Sequence, residues 1–106
     1  MNMNNNEYQI FVGCDDFHLK KEYVHPKELI EMITSLFNRY EVDFSLYEMS
    51  GGYLYSDGKF TIENGVCLSL IGIDEESAIR LTKALKMFMN QENCLLLKSK
   101  IESRIM

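Results

Sequence analysis

The segment from Val42 to Ile73 constrains the fold more than any other. It carries turn-forming pairs at Asp57–Gly58 and Asn64–Gly65 and a glycine pair at Gly51–Gly52, set among alternating apolar residues. Asp-Gly between such runs is a strong short-range signal for a β-hairpin. A two-residue turn at Asp57–Gly58 sets Tyr53 opposite Ile62 and Tyr55 opposite Phe60, so four large apolar groups share one face of the tip. The same register sets Gly51 against Asn64 and Gly52 against Glu63. Paired flexible positions predict a bend or bulge at one height in both arms. The segment thus predicts one long hairpin with inner halves at 42–49 and 66–73, and an outer half that projects as an arm with an aromatic face.

The flanking segments complete an α+β order. Residues 1–7 are polar and are expected to fray, leaving 8–106 as a single α+β domain. Tyr8–Gly13 reads as a short buried strand, and 14–25 as a charged loop with a short extended stretch at 22–24. Pro26 suits the first position of a helix. Leu29, Ile30, Ile33, Leu36, Phe37 and Tyr40 follow at helical spacing, with Lys27, Glu28, Glu31, Asn38 and Arg39 on the other side. Asp74 is placed to cap a second helix, favoured by Glu75 and Glu76 in its first turn. Ala78, Leu81, Ala84, Leu85 and Phe88 form its buried stripe, and Arg80, Lys83 and Lys86 its exposed side. Asn90–Asn93 break it, and 94–101 form the last strand.

Strand, helix, strand, strand, helix, strand predicts a ferredoxin-like sandwich, a four-stranded antiparallel sheet with both helices on one face. The first and last strands are expected in its centre. The uncovered face invites a partner. Phe44, Leu46, Tyr53, Tyr55, Phe60 and Ile62 are expected to line a contact between copies, making a homo-oligomer.

Size and charge narrow the function. The 106 residues are 46% hydrophobic and 25% charged. A chain of this length buries only about two-thirds of its unfolded surface, so a ligand site is expected at an edge, a groove or a subunit seam. The net charge of −5 argues against DNA or RNA as partner. Cysteines at 14, 67 and 94 show neither metal-ligand spacing nor a disulfide framework, which suits a reducing, cytoplasmic compartment. No apolar run approaches the length of a membrane span, and the N-terminus lacks signal-peptide character. No motif calls for a cofactor.

Several residues invite chemistry. Asp15, Asp16, His18 and His25 suggest metal or acid–base work, but they share one loop without a ligand pattern, and solvated residues are the better reading. No phosphate-binding glycine loop, nucleophile elbow or Cys–His arrangement is present. Tyr53 and Tyr55 can stack on a nucleobase or pack against another copy. Lys20, Lys21, Lys98, Lys100 and Arg104 can hold phosphates or simply face water. Asn90, Gln91 and Glu92 can end the second helix or read the polar edge of a base.

"FVGCDD", "KKEYV", "SGGYLYSDGKFTIENGVCLSLIG" and "MNQENCLLL" together resemble a group of small bacterial and phage proteins. The likeness covers about residues 8–97 and is carried by Gly13, Gly52, Gly58, Glu63, Asn90, Gln91 and Glu92. Within that group the chain is similar to the phage anti-Thoeris sponge proteins, which hold cyclic ADP-ribose isomers without cleaving them. The resemblance implies a non-enzymatic, oligomeric sponge for a small nucleotide signal in the cytoplasm of a phage's host. Phe88 and Asn90 would then lie near the base, and Lys20, Lys21 or Arg104 near the phosphates. Tyr53, Tyr55 and Gln91 complete the expected ligand set. Two other classes stay open. One is an enzyme of the dimeric ferredoxin-like barrel type, with Glu48 as its polar group. The other is an interaction module that docks its hairpin arm on a host protein.

Overall fold

The computed structural model describes residues 2–16, 21–22, 24–37, 43–91, 93–104 and 106. His18, Lys20, Asn38, Arg39, Tyr40, Val42 and Glu92, all singled out in the sequence, lie outside the described residues, as do the side chains of Asp16 and Lys21. The elements are β1 (Asn2–Gly13), β2 (Asp15–Asp16), β3 (Lys21–Glu22), α1 (Pro26–Phe37), β4 (Phe44–Leu54), β5 (Phe60–Ile71), α2 (Glu75–Phe88) and β6 (Leu95–Arg104). A four-stranded antiparallel sheet runs β4-β5-β1-β6, and β2 and β3 form a separate two-stranded ribbon. The chain has the α+β order of a ferredoxin-like fold.

β1 and β5, not the first and last strands, occupy the centre. Each helical crossover skips one strand. The chain passes from β1 over β5 to β4, and from β5 over β1 to β6, so β6 falls at an edge. β1 is also longer than the predicted 8–13. Asn2–Asn6, expected from their polarity to fray, pair with Lys100–Arg104. A ladder uses backbone groups, so polar side chains do not prevent it.

Both helices cover one sheet face. Tyr8, Ile10 and Val12 of β1 and Val66, Leu68 and Leu70 of β5 point at them by strand alternation. Leu29, Ile33 and Phe37 of α1 and Ala78 and Leu85 of α2 close the core from above. His25 Nδ1 accepts the Lys27 N–H at the start of α1, and Asp74 accepts the Ser77 N–H at the start of α2. Asn90, at φ +48°, turns the chain out of α2.

The hairpin departs from its predicted register by one residue. Tyr53 pairs with Thr61, Leu54 with Phe60, Gly52 with Ile62 and Gly51 with Glu63, and the ladder from Phe44 to Leu54 has no break. The loop between the arms is three residues long. The Tyr55 N–H donates to the Lys59 carbonyl, the Gly58 N–H donates to the Tyr55 carbonyl, and Gly58 adopts φ +86°. Asp57 fixes the turn by accepting the Lys59 N–H. One extra loop residue moves the side chains of one arm to the other face relative to those of its partner arm. The expected cluster of Tyr53, Tyr55, Phe60 and Ile62 is therefore divided. Leu54, Phe60 and Ile62 continue the helix-covered side beyond the helices, at 71, 67 and 72% exposure. Tyr53 shares the opposite face with Glu63. Phe44 and Leu46, expected at a subunit contact, pack instead against the core, Phe44 with its ring 5.0 Å from that of Phe37.

Candidate ligand site at the end of β1

Where β1 ends, four segments meet around Gly13. A Cβ added there would lie 2.5 Å from Glu63 Oε1 and 2.8 Å from Gln91 Oε1, so only glycine leaves room for both side chains. Glu63 comes from the middle of β5 and Gln91 from the turn after α2. The Asp15 N–H donates to Glu63 Oε2 at 3.0 Å. Gln91 donates its side-chain N–H to the Asp15 carbonyl. On the neighbouring strand Gly51 stands opposite Glu63. The Tyr53 ring lies back over Gly51, its hydroxyl 3.1 Å from where a Cβ would be. The result is a close-packed polar cluster in which the Glu63 and Gln91 side chains fill the space over Gly13 and the Tyr53 ring lies over Gly51.

The electrostatics are one-sided. Glu63 is 6% exposed and Asp15 8% exposed. Burial raises the Glu63 carboxyl to about 7, against the opposing pull of the Asp15 N–H, and the Asp15 carboxyl beside it pushes the same way as burial. Burial and Glu22 raise Asp15, while its hydrogen bond with Glu63 lowers it. Burial thus disfavours the charged form of both carboxyls. Burial, then Glu63, pushes the Tyr53 hydroxyl to about 12. Burial and the charges of Glu22, Glu63, Asp15 and Glu48 push the Cys14 thiol to about 12. Burial lifts Cys94 to about 11 despite Lys86. Neither thiol is a thiolate at neutral pH, so neither is an activated nucleophile.

The predicted ligand residues scatter. Tyr53 and Gln91 reach the cluster, and buried Tyr55 lies beside Tyr53. Phe88 is on the helical side, at the rim of a groove of about 620 Å3 lined also by Met32, Leu36 and Leu85. Asn90 serves the helix end and is exposed. Lys21 pairs through its backbone with Asp16. Arg104 lies opposite Asn2, at the far end of β1 and roughly 35 Å from Gly13 at the rise of a strand. Lys98 is paired with Glu75 on the surface at 3.0 Å. Glu48 and His25 border a small polar hollow of about 280 Å3 with Ser50 and Asn64. Sequence reasoning set Asp15 aside as a solvated loop residue and used Glu63 only as a motif position. Glu63 did carry a signal, as the one charged residue of β5.

No family model matches the sequence, and no curated protein matches it. Solved structures do match the fold. A phage SAM lyase in complex with S-methyl-5′-thioadenosine superposes with a TM-score of 0.73 at 21% identity, over 92% of this chain and 81% of the other. A phage SAM lyase in the apo state gives 0.69 at 22% identity, over 90% and 79%. The expectation of a non-enzymatic nucleotide sponge is overturned here, because the proteins of matching fold are enzymes. Among solved structures, this chain shares its fold with phage SAM lyases.

Proposed function

We propose that this chain is a phage-encoded enzyme of the SAM lyase type, acting in the cytoplasm of the host. It binds the adenosyl and sulfonium parts of SAM at the cluster of Asp15, Tyr53, Glu63 and Gln91 and releases S-methyl-5′-thioadenosine. The observation that carries this reading is the buried pair of Asp15 and Glu63 beside Gly13. Buried carboxyls suit a cationic ligand, because a positive charge offsets the cost of ionising them away from water. SAM is such a ligand, because its sulfur is a sulfonium.

The chemistry follows from what the product keeps. S-methyl-5′-thioadenosine retains the methyl and adenosyl groups, so the bond broken joins sulfur to the four-carbon amino-acid arm. Its electron pair passes to sulfur, which becomes a neutral thioether. The arm then loses a neighbouring proton or closes on its own carboxylate, and either route is redox-neutral without a co-reactant. Tyr53 supplies an aromatic wall and Gln91 a polar edge for the nucleoside. Glu63, near 7, is poised for proton transfer at neutral pH.

Assembly into homo-oligomers belongs to the same proposal. The sheet face away from the helices exposes Tyr47 and Leu95, and the arm exposes Leu54, Phe60 and Ile62. Apolar surface of this kind is covered by another copy.

Incubating the purified protein with SAM and following both compounds by chromatography with mass detection tests the reading. S-methyl-5′-thioadenosine is expected to accumulate as SAM disappears. Glu63→Gln and Tyr53→Ala are each expected to slow this by roughly a hundredfold. SAM left intact after prolonged incubation with folded protein rules the lyase reading out.

A further inference from the structure

The helical layer ends before the sheet does. β4 and β5 run on past it as the arm, from the Ser50–Asn64 pair to the Leu54–Phe60 pair. That extension is about 17 Å long at the rise of a strand. The helix-covered side therefore ends in a step, about 10 Å deep, the thickness of one helix. Leu54, Phe60 and Ile62 form the apolar floor of the step and stand in solvent.

A second apolar surface lies on top of the helices. α1 and α2 leave a groove between them, about 620 Å3 where Met32 and Phe88 line it and about 430 Å3 where Leu81 and Arg80 do. Leu36 and Ala84 line both stretches, so the groove is continuous. The groove and the step agree in length, since α1, at 12 residues, is about 18 Å long. A single chain cannot join the two surfaces, because the unbroken ladder holds the arm in the sheet. Two copies can. With helical sides facing and a two-fold axis across the step, the helices of each copy fill the step of the other. Each arm then lies over the partner's groove, and the helices of both copies form one layer between two sheets.

We propose that the groove between α1 and α2 receives the arm of a second copy and that the two copies exchange this contact, closing a two-fold dimer. This gives the assembly proposed above its surface, and it does not depend on the lyase reading. The area suffices. Leu36, Leu54, Phe60, Ile62, Met87 and Phe88 are 40–82% exposed. At roughly 140 Å2 each they offer on the order of 800 Å2 per copy, which is what one partner contributes to a stable interface. A different partner would have to bring both a ridge for the groove and a helix for the step, whereas a second copy brings both at the spacing required. The exchange is self-complementary, so it closes at two copies instead of growing into a filament. Tyr53 lies on the other face of the arm, so the candidate ligand site stays uncovered.

Phe60→Glu in the arm and Ala84→Lys in the groove change exposed positions and leave the core intact. Each alone puts a charge into both contacts of the dimer. Each is expected to weaken self-association at least about a hundredfold, read by native mass spectrometry over a dilution series. Mixed, the two variants form one contact from an unaltered arm and an unaltered groove, and a second in which the new charges are opposite. The mixed dimer, marked by its own mass, is expected to recover at least about tenfold of the lost association. Wild-type chains, half of them isotope-labelled, give a reading without substitution. An amine-reactive cross-linker is expected to join Lys59 of one chain to Lys83 of another, and absence of that link overturns the proposal should a variant fail to fold. Assembly that survives both substitutions, or a mixture as monomeric as its parts, overturns the arm-in-groove contact while leaving assembly through another face standing. A wild type that stays monomeric removes both.

Discussion

The two halves of β5 belong to one unbroken ladder yet lead different lives. From Gly65 to Leu70 every residue is buried, pressed between β1, β4 and the helical layer. From Phe60 to Ile62 the strand pairs only with β4, and its large apolar side chains stand in solvent. Composition does not separate the halves, because Phe60 and Ile62 are as apolar as Leu68 and Leu70. What separates them is the reach of the second layer: the helices cover one half and stop. Glu63 marks the junction, a buried acid between an exposed arm and a closed core. A strand thus supplies stability where a layer covers it and leaves apolar surface open to solvent where none does.

Cutting the covered half is expected to have the largest effect. Leu68→Ala removes a fully buried side chain and should cost about 2–5 kcal/mol, measured by chemical denaturation. A loss below 1 kcal/mol, typical of an exposed site, would erase the contrast with the arm.

The junction comes next. Burial raises Glu63 from 4.5 to about 7, so between those pH values the folded chain keeps a proton that the unfolded chain has given up. Stability therefore falls as pH rises through that window, by up to about 3 kcal/mol, and levels off above it. Glu63→Gln should flatten the slope. Identical pH profiles for variant and parent would remove Glu63 as its cause.

Gly13→Ala sharpens the same boundary. Its methyl group would strike the Glu63 carboxyl and the Gln91 side chain, and overpacking of this kind costs about 1–3 kcal/mol. Ligand binding should suffer more than folding, since the displaced groups form the cluster. Normal affinity for S-methyl-5′-thioadenosine in this variant would place the ligand elsewhere.

The arm should show the smallest effect on the single chain. Replacing Phe60 and Ile62 together by serine is expected to change its stability by no more than about 0.5 kcal/mol. Native mass spectrometry of the same variant should show fewer assembled copies. An unchanged mass distribution would leave the exposed arm without an assembly role.

Much of the architecture was legible before any coordinates. Pro26, Asp74 and the apolar spacing marked both helices, because those signals act within a few residues. The αβ order gave the fold class for the same reason. Tyr53 and Gln91 were singled out by residue type, and the structure sets Gln91 beside Gly13 and Tyr53 near Glu63. Their neighbours were not legible. A negative total charge was plain, but its concentration on one cluster was hidden, as was the distance of Arg104 from that place.

The amino-acid sequence by itself determined the order of the main strands and helices, where the helices begin, and that Asp57–Gly58 turns the chain back. Only the tertiary structure decided the hairpin register, the face on which Tyr53 lies, and the meeting of Asp15 with Glu63 and Gln91. The reason is physical. Capping and periodicity are settled by neighbours a turn away. The cluster joins residues 48 and 76 positions apart, brought together by crossovers that no local signal encodes. A single extra residue in the turn loop was enough to set the side chains of one arm on the opposite face from their expected partners.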